Sequence, residues 1–313
     1  MQRFHHSRFA DIRRLNSIRQ AAGHRISVCI PTLNEAETIG TIAETVRRHL
    51  INDTPLVHEV IVIDSGSTDA TLETARQAGA RVFRSAEINP DAGSHTGKGE
   101  NLWKALHVAK GDIICYLDGD IANFHPGFVT GLAGPLLEYP EIDYVKAYYE
   151  RPLACGEDAR SSSGGRVSEI LVRPLLSLFY PELTGILQPL SGEYAARRHL
   201  LESLAFPTGY GVEIAHLIDL ARAGMLQRIA QTDLVKRIHR NRDDGDLGDT
   251  AFAILRVVLR RLERDGKLTL AAELPEFHHR WLTAENKIEA VRTRIPEPER
   301  PPVSAFRTSA GEG

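Results

Sequence analysis

Four short apolar runs, "RISVCI" (25–30), "EVIVID" (59–64), "RVFRS" (81–85) and "DIICYLDGD" (112–120), constrain this chain most, because a helix-spaced segment separates each from the next. Runs of this length and β-branched content read as strands buried on both faces, whereas "ETIGTIAETVRRHL", "ATLETARQAGA" and "ENLWKALHVAKG" carry apolar residues at helical spacing. Strand, loop and helix, repeated, predict an α/β chain with a mostly parallel, Rossmann-like sheet flanked by helices. Right-handed crossovers then gather the loops after these strands at one edge, where such sheets bind ligands.

The second half is less regular. "YVKAYYERP" (144–152) reads as a strand, "GGRVSEILVRPLLSLFY" as a Gly-rich loop opening a helix, and "QPLSGEYAARR" as a short strand or turn. "GYGVEIAHLIDLARAGM" starts a helix after two glycines, and "QRIAQTDLVKRIHRNR" is a strand running into a basic loop. The helix "TAFAILRVVLRRLERD" is basic on one side, which reads as a solvated face or a subunit contact, and we expect a homodimer. Residues 1–24 read as a polar extension, helical or frayed; residues 266–313 read as a C-terminal extension whose Pro-rich, charged tail "IPEPERPPVSAFRTSAGEG" is expected to be disordered.

Charge excludes some partners. With 38 basic and 41 acidic residues, a formal charge of −3 provides no global field for nucleic acid or an anionic membrane, so a bound anion must meet local positive charge. No window approaches the ~18 apolar residues of a membrane span, and none resembles a secretion signal. Cys29, Cys115 and Cys155 are far apart and read as buried thiols, which suits a cytoplasmic protein.

The run 112–120 ends on two carboxylates separated by one glycine. A strand end followed by a polar turn is the plain explanation. The chemical one is that residues i and i+2 of an extended chain face one way, so Asp118 and Asp120 share a space from which Gly119 withholds a side chain. Two hard oxygen donors suit Mg²⁺ or Mn²⁺, which are usually held by one or two carboxylates together with substrate phosphates. In "GGRVSE", Gly164 and Gly165 allow a tight turn into a helix, and Arg166 adds a planar cation able to grip an oxyanion; a flexible loop with a surface arginine is the alternative.

"CIPTLNEAETI", "VIDSGSTDAT" and "LDGD", in that order at successive strand ends, resemble nucleotide-sugar glycosyltransferases of the GT-A fold. "GGRVSEILVRPLL", "QPLSGEYAARR", "GYGVEI" and "VKRIHRNR" narrow the resemblance to the glucosyl-3-phosphoglycerate synthases, over about residues 25–242. The resemblance implies one catalytic domain, 25–265, with a nucleotide-sugar half at 25–125 and an acceptor-binding half at 126–265. It implies transfer of glucose from UDP-glucose to 3-phosphoglycerate with retention, some relatives using GDP-mannose. On the donor it places Pro31, Thr32, Leu33, Glu35, Ser65, Lys98, Asp118 and Gly119. Gly165, Arg166, Ser168 and Asn241 fall to the acceptor; Asp120 and His239 to the metal; and Asp120, Leu190, Glu213 and Arg237 to the reacting centre.

Some of these residues have plainer readings. Lys98 in "GKGE" fits an exposed lysine at a helix start, His239 among cations fits a surface or phosphate contact, and Glu213 is favoured by a helix N-terminus whether or not it meets sugar. No Asp or Glu is an obvious nucleophile. The expected route is therefore a same-face ion pair, in which cations steady the departing diphosphate and its oxygen takes the acceptor proton. Two departures bear on specificity: Ser65 stands where many GT-A enzymes have a second Asp, and Gly119 where many have a small hydroxyl residue. Transfer to a polyprenyl phosphate and inactive nucleotide-sugar binding are the competing functions.

Overall fold

The computed structural model describes residues 1–150, 165–238, 244–284 and 287–309. Its strands are β1 (Gln2–His5), β2 (Ile26–Thr32), β3 (Glu59–Asp64), β4 (Arg81–Arg84), β5 (Ile113–Tyr116), β6 (Tyr144–Glu150), β7 (Tyr194–Arg197), β8 (Phe206–Pro207), β9 (Ile229–Lys236), β10 (Phe277–Ala284), β11 (Lys287–Arg294) and β12 (Glu299–Arg300). The helices are α1 (Ile12–Ala22), α2 (Ile39–Thr45), α3 (Thr71–Gln77), α4 (Lys98–Val108), α5 (Gly127–Glu138), α6 (Arg173–Phe179), α7 (Arg198–Glu202), α8 (Val212–Arg222), α9 (Asp244–Arg264) and α10 (Val303–Ser309).

Eight strands form one sheet in the order β1-β9-β6-β7-β5-β2-β3-β4. Only β7 runs antiparallel to its neighbours, β5 and β6. The mostly parallel sheet expected from the four leading runs is present, and the strand order reverses at β2, which pairs β3 on one side and β5 on the other. Side-chain alternation explains why these strands carry unbroken apolar runs. Val60 and Val62 pack with α2 and α5 on one face, and Ile61 and Ile63 pack with α4 and α8 on the other. Cys29 and Cys115 lie in these two different layers as buried free thiols, and burial pushes Cys115 up to about 12. Cys155 lies outside the described residues.

Three regions depart from the sequence reading. The polar N-terminus pairs through β1 with β9, Gln2 opposite Ala230, and satisfies backbone groups that β9 would otherwise leave open as the edge of the sheet. The basic side of α9 is not simply solvated: Arg261 is buried and bonds Asp219 (2.8 Å) and Glu299 (3.0 Å), while Arg260 donates to the Glu297 carbonyl at 2.7 Å. The tail expected to be disordered is ordered through Ser309. There β12 pairs β8, the Trp103 indole donates to the Pro301 carbonyl at 2.9 Å, and Val303 enters the core.

Candidate active site

The switch point between β2 and β5 sets the loops after β2, β3 and β5 side by side. Thr32, buried at the end of β2, donates from Oγ1 to Asp64 Oδ2 at 3.0 Å, and the Ser65 amide donates to the Thr32 carbonyl at 3.0 Å. Asp64 also accepts the Gly66 and Ser67 amides, each at 2.8 Å, so this carboxylate folds the "DSGS" turn, in which Gly66 takes a φ of 106°. Asn34, at φ 58°, accepts the Thr68 amide at 2.9 Å on its side chain, and Glu35 N–H donates to Thr71 Oγ1 at 2.8 Å. The loops carrying Pro31, Thr32, Leu33 and Glu35 and the turn carrying Ser65 are thus one hydrogen-bonded unit, with Leu33 exposed.

Asp118, Gly119 and Asp120 lie beyond the last residue of β5, Tyr116, so strand alternation is not what aligns the two acids. A turn aligns them, and both reach one guanidinium nitrogen. Arg237 Nη2 lies 3.0 Å from Asp118 Oδ2 and 2.6 Å from Asp120 Oδ1. A Cβ on Gly119 would lie 3.1 Å from Thr32 Cγ2 and 3.3 Å from Glu35 Cγ, so the first loop packs directly on the D-x-D turn and leaves little room for the hydroxyl residue of other enzymes.

Lys98 opens α4. Its Nζ lies 2.5 Å from Asp118 Oδ1 and 2.8 Å from Glu213 Oε1, so it is not an exposed helix-start lysine. Burial opposes its charge, but Asp118 and Glu213 outweigh burial and raise its pKa. The glycines of "GKGE" have a steric cause. A Cβ would stand 2.4 Å from the Thr208 carbonyl oxygen at Gly97 and 1.8 Å from that of Pro207 at Gly99. The turn after β8 leads into Glu213 in the first turn of α8 and is itself held from the tail: Glu297 accepts the Gly209 and Tyr210 amides at 3.1 and 3.2 Å.

The segment 188–193 underlies this cluster. A Cβ on Gly192 would lie 2.2 Å from Lys98 Nζ and 2.4 Å from the Asp118 carboxylate, so a side chain there would have to displace that ion pair. Leu190 is half-buried against the core. Glu193, fully buried, accepts Arg237 Nε at 2.7 Å, and Lys146 Nζ donates to the Ser191 carbonyl at 2.6 Å. Burial drives Lys146 down to about 8. Sequence reasoning missed Glu193 and Lys146, although a charged residue inside a run that otherwise reads as buried, "SGEYAA" or "YVKAYY", is itself a signal.

Gly165, Arg166 and Ser168 stand at the start of the helical segment leading into α6, with Arg166 exposed and Ser168 buried. His239 and Asn241 lie outside the described residues. A cavity of about 740 Å³ opens beside Asp64, Ser65 and Gly66 and is walled by residues 94–97, 208–210 and 294–298; Asp118 and Asp120 do not line it. The Asp64–Gly66 turn and the tail segment 294–298 thus face the same space.

Among the described residues, no three His, Cys, Asp or Glu side chains form a metal cage. The donor set nevertheless fits Mg²⁺ or Mn²⁺ completed by phosphate oxygens: two partly exposed carboxylates converge on one point. The surrounding cluster holds four carboxylates, Asp118, Asp120, Glu193 and Glu213, against three cations, Lys98, Lys146 and Arg237.

The model of glycosyl transferase family 2 matches residues 27–200. Glucosyl-3-phosphoglycerate synthase of Petrotoga mobilis is 50% identical over 300 residues, covering 96% of this chain and 92% of that one. Among solved structures, glucosyl-3-phosphoglycerate synthase from Mycobacterium tuberculosis, in complex with Mn²⁺, UDP and phosphoglyceric acid, superposes with a TM-score of 0.82 at 39% identity, over 95% of each chain. Mannosyl-3-phosphoglycerate synthase from Rubrobacter xylanophilus gives a TM-score of 0.89 at 34% identity, over 97% of each. A GT-A-type sheet, the D-x-D turn at its switch point and these likenesses along nearly the whole chain place it in glycosyl transferase family 2, among the glucosyl-3-phosphoglycerate synthases.

Proposed function

We propose that this protein transfers glucose from UDP-glucose to 3-phosphoglycerate, retaining the anomeric configuration and giving glucosyl-3-phosphoglycerate. The observation that carries the reading is the Lys98–Asp118–Arg237–Asp120 charge cluster at the sheet edge, beside a hydrogen-bonded nucleoside loop. Pro31, Thr32, Leu33, Glu35 and Ser65 line the nucleoside side, with Lys98 and Gly119 toward the nucleotide. Asp118 and Asp120, with His239, would hold Mg²⁺ or Mn²⁺, which when bound neutralises charge on the diphosphate. Gly165, Arg166, Ser168 and Asn241 receive phosphoglycerate, and Leu190 and Glu213 face the sugar.

Retention follows a same-face route in this reading. The bond from the anomeric carbon to the diphosphate oxygen breaks, the acceptor hydroxyl bonds to the same face, and its proton passes to the departing diphosphate oxygen. Arg237 steadies the charge that develops there. The route is supported by the state of the carboxylates: Glu213 is tied to Lys98 at 2.8 Å, and Glu193 is sealed behind Arg237, so neither is poised to attack carbon. Glu213 orients the sugar.

GDP-mannose is the second donor reading, favoured by the TM-score of 0.89 to a mannosyl-3-phosphoglycerate synthase. We further propose a cytoplasmic homodimer; Trp281 and Ile288, both exposed on the β10–β11 hairpin, offer apolar surface to a second copy. No described helix is long and apolar enough to cross a membrane, which weighs against the polyprenyl-phosphate reading. Incubation with each donor and Mn²⁺, with 3-phosphoglycerate or glycerate as acceptor, tests the reading. An α-glucoside of 3-phosphoglycerate, identified by anomeric NMR, supports it; no glycoside from either donor overturns it.

A further inference from the structure

Arg237 has two ends with different partners. Its Nη2 faces Asp118 and Asp120 at 3.0 and 2.6 Å, and its Nε is bonded at 2.7 Å to Glu193, a residue with no solvent exposure. Both carboxylate oxygens of Glu193 are bonded. Oε1 takes the Arg237 bond, and Oε2 accepts from the Tyr149 hydroxyl and from Ser191 Oγ at 3.1 Å. Its own backbone is fixed by the Ala147 amide, which donates to the Glu193 carbonyl at 3.0 Å. The Arg237 amide donates to the Glu150 carbonyl at 3.0 Å, so strands β6, β7 and β9 each anchor part of one buried assembly.

We propose that Glu193 is a positioning residue for the transfer, acting through Arg237: it grips the guanidinium by its inner edge and so decides how strongly the outer edge engages the D-x-D carboxylates. The physical case is charge sharing. A guanidinium is a planar fork whose donors diverge, so an anion fixed at Nε sets the direction of Nη2. Without the Glu193 charge, Asp118 and Asp120 are, among the described residues, the remaining carboxylates bonded to that guanidinium, and a cation entering between them competes with it more strongly. Glu193 therefore leaves the two aspartates available to a divalent cation while Arg237 stays close enough to meet the diphosphate.

This inference rests on the transfer reading above, and the test separates the two. Glu193→Gln keeps the volume and an acceptor oxygen but removes the charge. The expected result is a weaker Mn²⁺ dissociation constant, by about three- to tenfold in electron paramagnetic resonance titrations, and a kcat lower by about ten- to a hundredfold with the donor KM changed little. Because Glu193 acts through Arg237, adding Glu193→Gln to Arg237→Gln should lower kcat no further than about twofold. Glu193→Asp, which keeps the charge, should restore part of the Mn²⁺ affinity. Unchanged Mn²⁺ affinity in folded Glu193→Gln, or losses that multiply in the double variant, overturn the proposal. The Mn²⁺ titration reads the coupling even if no glycoside forms, in which case the transfer reading alone falls. Should Glu193→Gln not fold, Tyr149→Phe removes one donor to Glu193 without altering charge. A few-fold loss in kcat that vanishes in the Arg237→Gln background supports the proposal, and a loss of equal size in both backgrounds overturns it.

Discussion

Individual residues in this site are defined by their charge partners. Asp120 is one of two carboxylates converging on Arg237, and converting it to Asn should remove most turnover with UDP-glucose; excess EDTA should do the same, reversed by Mg²⁺ or Mn²⁺. Full turnover in EDTA would overturn the metal assignment. Arg166 is exposed at a helix start, so Arg166→Ala should raise the phosphoglycerate KM about ten- to a hundredfold without affecting UDP binding by calorimetry. If UDP binding falls instead, Arg166 is a donor residue. Lys146 makes a third, physical prediction, because burial lowers its pKa from 10.5 to about 8. Between those values the unfolded chain carries a proton that the folded one has released, so stability should rise with pH through that window, by roughly 3 kcal/mol at most. Lys146→Met should lack this rise. Parallel urea midpoints for both proteins from pH 8 to 10.5 would overturn it. None of the three environments is visible in residue type alone: an arginine, an aspartate and a lysine become specific through what the fold sets against them.

At the scale of elements, strands and helices were legible where local periodicity sets them. Unbroken apolar runs made β2, β3 and β5 recognisable, since a strand covered on both faces needs no polar alternation, and the loops after them lie together at the carboxyl edge of the sheet, as expected. The tail misled for an identifiable reason. Its composition matches disordered chains, but Arg300 forms paired bonds of 2.7 Å to both oxygens of the fully buried Glu100, two hundred residues earlier in the chain. That pair ties β12 to α4, whose first residue is Lys98. Arg300→Ala would leave Glu100 with Lys104 Nζ 3.9 Å away. Stranding a buried carboxylate typically costs about 3 to 5 kcal/mol, so the urea midpoint should fall sharply with the m value preserved. An unchanged midpoint would mean that the tail is detached in solution.

For the molecule as a whole, charge and surface set how it meets partners. With −3 overall, the chain has no global field for a charged polymer, and the proposed homodimer rests on the exposed hairpin residues Trp281 and Ile288. Sedimentation should show a two-chain species that Trp281→Glu converts to one chain; a one-chain wild type would overturn the dimer. The sequence by itself determined the mostly parallel sheet and the loops at its carboxyl edge, because strand and helix periods repeat over a few residues and are written in neighbouring positions; that a turn rather than strand alternation aligns Asp118 and Asp120 came from the fold. Only the tertiary structure decided which charges face one another. Arg237 meets Asp118 from 119 positions away, and Arg300 meets Glu100 from 200. No local pattern encodes such pairings: packing brings the groups together, and exclusion of water makes each buried ion depend on its partner.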